Sequence, residues 1–568
     1  NVVLLGDASA TAHFSIGSGS RLAFDSAIAL AEFLHSEPTM EGAFERYQDE
    51  RRLDVLRLQS AARNSLEWFE EVERYLDLDP VQFNYSLLTR SQRISHENLR
   101  LRDADWLKSA EKWFQDQAGA PAEAPVRAPM FAPYKMRDME LANRIVVSPM
   151  AQYKAVDGCP TDWHLIHYGE RAKGGAGLVY TEMTCVSAEG RITPGCPGLY
   201  APEHEAAWRR LTDFVHAETD AKICCQIGHS GRKGSTQVGW EIMDAPLKEG
   251  NWELVSASAI PWSENNAVPR AATRADMDAI KAQFVAAAEM AERAGFDMIE
   301  LHAAHGYLIS SFISPLSNRR EDEYGGSLEN RLRLFREVIA DTREAVGDRC
   351  ALAVRLAVDE LMGPAGMQHD AEGREVIEAL AEEPDLWDVN LSDWSNDSQT
   401  ARFAEEGFQD SYTSFVKSVT SKPVVGVGRY TSPDRMLTLL KRGHLDLIGA
   451  ARPSIADPFL PEKIRRGTPE AIRECIGCNI CVMGDNTEVP MRCTQNPAVG
   501  EEWRRGWHPE VIPALDRPEP ALIVGGGPAG LEAARAVVED LYLNGGQPRE
   551  GHVVRLQRQD TSGASRLS

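Results

Sequence analysis

The sequence has no unbroken apolar stretch of about 18 or more residues, the length a membrane-crossing helix requires. Basic residues are in deficit, 61 Lys and Arg against 85 Asp and Glu, for a formal charge of −24. Contact with a phosphate backbone draws on clustered Lys and Arg, so nucleic acid is excluded as a partner and the acidic excess serves solubility. Cysteine is sparse as well. Ten in 568 residues are too few for a disulfide scaffold. No internal repeat or low-complexity tract is present, which excludes solenoid and fibrous readings.

Four of those cysteines crowd together. Cys475-Ile476-Gly477-Cys478-Asn479-Ile480-Cys481, followed by Cys493, reads C-x₂-C-x₂-C-x₁₁-C. Three tight thiolates with a distal fourth suit a [4Fe–4S] cluster and differ from the paired C-x₂-C knuckles of structural zinc. Such a site implies a reducing compartment, and the cytoplasm is expected.

The chain is too long for one hydrophobic core. Residues 1–117 are helical in pattern, with apolar positions at helical spacing through 27–34 and 53–76, although 1–7 reads as a buried strand entering a turn. A Pro/Ala-rich stretch at 118–133 reads as a linker. From 134 to 465 short apolar runs alternate with amphipathic helices. The runs are 144–148, 177–181, 221–226, 297–302, 351–355, 386–391, 423–428 and 445–450, and eight parallel strands close a (β/α)₈ barrel. The cysteine loop fills 466–515. A last segment, 516–568, opens on an apolar run at 521–524 and then Gly525, Gly527 and Gly530 at GxGxxG spacing before a helical pattern, the order a dinucleotide site requires. No second strand with an acidic ribose ligand follows, so this segment reads as a truncated Rossmann-like unit, and the chain as a fragment cut at both ends.

In such a barrel, functional residues belong at the C-terminal ends of strands. Run one ends in Ser148-Pro149-Met150, run three in Gln226, run four in His302-Ala303-Ala304-His305-Gly306-Tyr307 and run five in Arg355. Runs seven and eight end in Gly428-Arg429 and Gly449-Ala450-Ala451-Arg452. Glycines there let backbone N–H groups approach a phosphate, and the two arginines supply charge-assisted bonds to it.

On these residues, continued by Ser314-Pro315-Leu316-Ser317-Asn318-Arg319-Arg320 and Tyr324-Gly325-Gly326-Ser327, the chain resembles the old yellow enzyme family of FMN-dependent ene-reductases. The resemblance implies that Ser148, Pro149, Met150 and Gln226 contact the isoalloxazine ring, that Arg355 sits by its N1–C2 edge, and that Gly428, Arg429 and Arg452 bind its phosphate. It implies further that His302 and His305 hold a substrate carbonyl oxygen and that Tyr307 donates the proton. Ala151 stands where some members carry a flavin-tuning cysteine, so non-covalent, untuned FMN is expected. With the cysteine loop included, the chain resembles the trimethylamine dehydrogenase and dienoyl-CoA reductase branch, in which a cluster relays electrons. The amine dehydrogenases have Tyr where His302 stands, yet Asp397 corresponds to their active-site acid.

At the N-terminus, Gly6-Asp7-Ala8-Ser9-Ala10 and Gly17-Ser18-Gly19 resemble the second flavin-contacting motif of aromatic-ring monooxygenases, as fused to such barrels in salicylyl-CoA or anthraniloyl-CoA monooxygenase/reductases. The family's first motif would precede residue 1, so no hydroxylase activity is expected. The leading expectation is therefore an NAD(P)H-linked reductase of the C=C bond of an unsaturated carbonyl or a CoA thioester, dienoyl or aryl-derived. FAD and NAD(P)H are cofactors of a full-length form. The alternatives are an amine dehydrogenase passing electrons to an electron-transfer flavoprotein, and a non-catalytic electron-transfer subunit.

Overall fold

The computed structural model describes residues 3–508 together with 510, 530 and 533, apart from 71, 77, 92, 95, 119–127, 240, 243, 398–403 and 483–490. The chain divides into two units, Asn1–Asn496 and Pro497–Ser568. In the second, Glu502–Arg505 forms one helical turn ended by Gly506 in the left-handed conformation. Gly530 is helical, while Gly525 and Gly527 lie outside the described residues.

The first unit opens with five helices: α1 (Gly19–Ser36), α2 (Met40–Glu70), α3 (Pro80–Thr89), α4 (His96–Arg102) and α5 (Ala104–Gln117). In α1, Leu22, Ser26, Ala29, Leu30 and Phe33 are buried, the i, i+4, i+7 stripe of a helix with one inward face. Asp79 caps α3, its carboxylate accepting the Val81 N–H at 2.9 Å, and proline occupies the first turn, where no N–H is needed. The strand expected at 1–7 is not formed in its described part. Leu4 and Leu5 are exposed and Gly6–Ala8 is a 3₁₀ turn, because no strand runs beside this segment among the described residues to pair its backbone.

Residues 134–465 contain the barrel. Its strands are β1 (Ile145–Val147), β2 (Leu178–Tyr180), β3 (Lys222–Gly228), β4 (Met298–His302), β5 (Ala351–Ala357), β6 (Leu386–Asn390), β7 (Val424–Val427) and β8 (Leu447–Gly449). Each pairs in parallel with the next, and β8 returns to β1 through Ile448 opposite Ile145, so the sheet is closed. All eight apolar runs of the sequence are strands, as expected of buried parallel β-structure.

The period of two within each strand sorts the interior by depth. Val146, Leu178, Cys224, Met298, Ala353, Leu386, Val425 and Leu447 form one inner apolar cluster, closed from below by Met136, Met139 and Leu141 of an antiparallel hairpin (Tyr134–Met136 with Met139–Leu141). Two residues further along the strands stand Ser148, Tyr180, Gln226, Glu300, Arg355, Asp388 and Gly449. Two more bring His302 and Asn390. The plug is thus apolar at the N-terminal end and polar at the C-terminal end, where the loops open. No described helix is long and apolar enough to cross a membrane.

Candidate active site

A cleft enclosing about 1350 Å³, its open mouth included, lies over the C-terminal ends of the strands. It is lined by Ser148, Pro149 and Met150 after β1, Gln226 on β3, His302, His305 and Tyr307 at the end of β4, and Arg355 on β5. Gly428 and Arg429 after β7, Gly449 on β8 and Arg452 complete the wall. Every barrel residue singled out in the sequence therefore faces one cavity.

The floor and one corner fit FMN. Ser148 Oγ, Arg355 Nε and Arg429 Nε are buried polar atoms with no protein partner, which calls for a ligand that pairs them. At Gly449 a Cβ would lie 2.6 Å from Val427 Cγ1 and 2.7 Å from Ser148 Oγ, so only glycine fits at this corner without pushing either side chain toward the cleft. Arg429 and Arg452 flank this corner, and both also hold the cysteine loop: Arg429 donates to the Cys475 carbonyl at 3.4 Å, Arg452 to Asn479 Oδ1 at 2.5 Å.

Above the floor, the β4 end carries three rings. The His302 centroid lies 5.0 Å from that of His305 and 5.0 Å from that of Tyr307, edge to face. Burial drives the His302 imidazole well below its ordinary value, helped by nearby His305, Arg355 and Lys233, so it is neutral. The Ala304 N–H donates to His302 Nδ1 at 3.2 Å, which leaves the ring proton on Nε2. His305 is neutral too, lowered first by burial, with Asp397 pulling the other way. The Asn390 amide nitrogen lies 2.6 Å from His305 Nε2, and Asp397 Oδ2 lies 3.4 Å from the same atom. Each imidazole, being neutral, carries one N–H. Burial pushes the Tyr307 phenol well above its ordinary value, which keeps it protonated.

Asp397 anchors this arrangement. Burial alone would raise its carboxyl, but the His305 ring and the Arg355 guanidinium outweigh burial and hold it below the usual carboxylate range. Arg355 reaches Asp397 at 3.1 Å and Asp388 at 2.7 Å, and Gln409 donates to Asp397 Oδ1 at 2.7 Å.

One of the four cysteines reaches the same wall. Cys481 lines the cleft beside Arg452. Burial pushes its thiol up to about 12, and Cys475, Cys493 and Cys478 all add to the rise, so the four sulfurs lie within electrostatic reach of one another. The Gln495 N–H donates to Cys493 Sγ at 3.4 Å and Thr494 Oγ1 lies 3.2 Å from Cys478 Sγ, the kind of hydrogen bonding that supports thiolate ligands. Among the described residues no three His, Cys, Asp or Glu side chains, these cysteines included, are gathered closely enough to hold a metal ion.

Sequence reasoning passed over Glu300 and Asp388, fully buried acids in the layer of Gln226 and Arg355, and Lys233, whose ammonium lies 3.9 Å from the Trp262 ring centre and donates to the His305 carbonyl. The signal for the two acids was present: an acid inside the runs Met298-Ile299-Glu300-Leu301 and Leu386-Trp387-Asp388-Val389 has to point into the barrel.

Residues 129–471 match the model of the NADH:flavin oxidoreductase / NADH oxidase family. The chain is 36% identical over 424 residues to dimethylamine dehydrogenase of Hyphomicrobium sp. (strain x), covering 73% of this chain and 56% of that protein. Among solved structures it is similar to histamine dehydrogenase from Rhizobium sp. 4-9, at 41% identity and a TM-score of 0.66 over 72% of this chain and 58% of that one. It is similar also to 2-naphthoyl-CoA reductase in complex with 2-naphthoyl-CoA, at 28% identity and a TM-score of 0.64 over 72% and 62%. The chain spans somewhat more than half the length of the dimethylamine dehydrogenase it matches. The barrel, the flavin-shaped cleft and these matches agree: the chain belongs to the NADH:flavin oxidoreductase / NADH oxidase family, with the (β/α)₈ architecture of the old yellow enzymes.

Proposed function

We propose that this protein reduces the C=C bond of an α,β-unsaturated carbonyl compound or CoA thioester, dienoyl or aryl-derived. The electrons come from NAD(P)H and pass through a [4Fe–4S] cluster held by Cys475, Cys478, Cys481 and Cys493. The observation that carries the reading is the pair of neutral imidazoles, His302 with its proton on Nε2 and His305 beside it, in one cleft with a protonated Tyr307. FMN, when bound against Ser148, Gln226 and Arg355, supplies hydride chemistry at the floor. The two imidazole N–H groups hold the carbonyl oxygen, where negative charge grows as the β-carbon is reduced, and stabilise it there. Tyr307 delivers the proton to the neighbouring carbon. The low exposure of all three rings keeps water from competing.

A second reading, amine oxidation with electrons leaving to an electron-transfer flavoprotein, is favoured by the Asp397–His305 contact and by the amine-oxidising relatives. Anaerobic titration of the bound flavin separates the two. Bleaching by NAD(P)H and reoxidation by an enone or enoyl-CoA is expected. Bleaching by a secondary or tertiary amine instead would replace the first reading with the second, and a response to neither would leave an electron-transfer subunit. The glycines Gly525, Gly527 and Gly530 remain the proposed pyrophosphate contacts for FAD or NAD(P)H in a full-length form.

A further inference from the structure

The layer of the barrel interior that carries Gln226 and Arg355 also holds charge that the reaction above does not use. Glu300 on β4 pairs with Ala353 of β5, Asp388 on β6 pairs with Arg355 two residues further along β5, and both acids are fully buried. Glu300 Oε1 accepts from Gln226 Nε2 at 2.7 Å, and Asp388 Oδ2 accepts from Arg355 at 2.7 Å. One oxygen of each acid is left over: Glu300 Oε2 and Asp388 Oδ1 have no donor from any other group, while the two carboxyls lie within hydrogen-bonding reach of each other. Two ionised carboxylates are acceptors only, and a buried acceptor facing another acceptor is costly. One proton between them satisfies both oxygens at once.

We propose that Glu300 and Asp388 share a single proton and that this proton sets the charge of the platform formed by Gln226 and Arg355, and through it the ease with which the flavin above accepts electrons. The proposal rests on the flavin site and not on the choice of substrate. The titratable and charged groups facing the pair are Arg355 from β5, Asp397 after β6, Tyr180 from β2 and Cys224 from β3. Burial holds Tyr180 and Cys224 well above their ordinary values, so both stay neutral. With the shared proton in place, Arg355 is offset by Asp388 and Asp397 alone. Loss of the proton adds a negative charge below the ring and makes electron uptake harder; added electron density above holds the proton more tightly, since linkage is reciprocal.

The test uses the as-isolated protein with its bound cofactors and the variant Glu300→Gln, whose amide can accept from Gln226 and donate to Asp388 but carries no titratable proton. Infrared spectroscopy is expected to show a deuterium-sensitive carboxylic-acid carbonyl band that disappears in Glu300→Gln. The midpoint potentials of the two proteins are expected to coincide near neutral pH and to separate as pH rises, the wild type falling below the variant. A carboxylic-acid spectrum unchanged by the substitution, or an offset in potential that is the same at every pH, overturns the proposal. Should the variant not fold, the band followed in wild-type protein from about pH 6 to about pH 10 decides the matter: it must titrate away in step with a fall in potential. None of these readouts depends on turnover, so a failed substrate assignment leaves them intact.

Discussion

Tyr307 carries the assignment at the scale of single residues, because it is a buried phenol kept protonated within the same cleft as two imidazole donors. Tyr307→Phe is expected to leave flavin reduction by NAD(P)H unchanged and to slow reoxidation by an enone by about 10²–10⁴-fold, the usual worth of a positioned proton donor; stopped-flow absorbance reads both half-reactions. His302→Ala removes one of the two hydrogen bonds to the developing oxyanion, and a loss of about 10²–10³-fold in the oxidative half-reaction is expected. Flavin retention measured by absorbance should be unaffected, since in the proposed site His302 holds the substrate oxygen above the floor. These residues were legible because each ends an apolar run, where a barrel puts its chemistry. Glu300 and Asp388 were passed over for the converse reason: each sits inside a run that reads as uniformly apolar, and only the alternation of the strand reveals that they face inward.

At the scale of elements, the eight strands were readable because burial on both sides makes each a short apolar run, whereas residues 3–7, the described part of the first apolar run, show that such a run becomes a strand only beside a partner. The loop after β8 was singled out by cysteine spacing alone. Its partners, Arg429 and Arg452, were assigned to a phosphate and not to the loop, because no spacing in sequence records that two distant turns meet. Gly449→Ala is expected to close the phosphate corner, since the added Cβ meets Val427 and Ser148 below 3.0 Å and pushes them toward the cleft. The purified variant should fold with unchanged far-ultraviolet circular dichroism and lack the yellow flavin absorbance. Cys478→Ser is expected to abolish broad absorbance near about 400 nm, from thiolate-to-iron charge transfer, while the flavin stays bound.

Over the whole molecule, acid sensitivity follows from buried histidines. Burial lowers His229 to about 4, and its Nδ1 accepts the Gly231 N–H at 3.0 Å, which a protonated ring cannot do. The unfolded chain binds a proton at this position below about pH 6.5 and the folded chain does not until about pH 4, so the stability it contributes is complete above 6.5 and lost as pH falls between the two, on the order of 3 kcal/mol. The fall in Tm over that window should be shallower in His229→Asn, which keeps the acceptor without the titration. A different consequence follows from the two arginines that reach both the phosphate corner and the cysteine loop. Filling one of the proposed prosthetic sites would pre-organise the wall of the other, so the two loading equilibria are expected to be coupled, each insertion favouring the other by the same factor. A barrel stripped of its flavin would expose its cysteines to thiol reagents sooner than one that kept it, although no reagent touches the flavin itself.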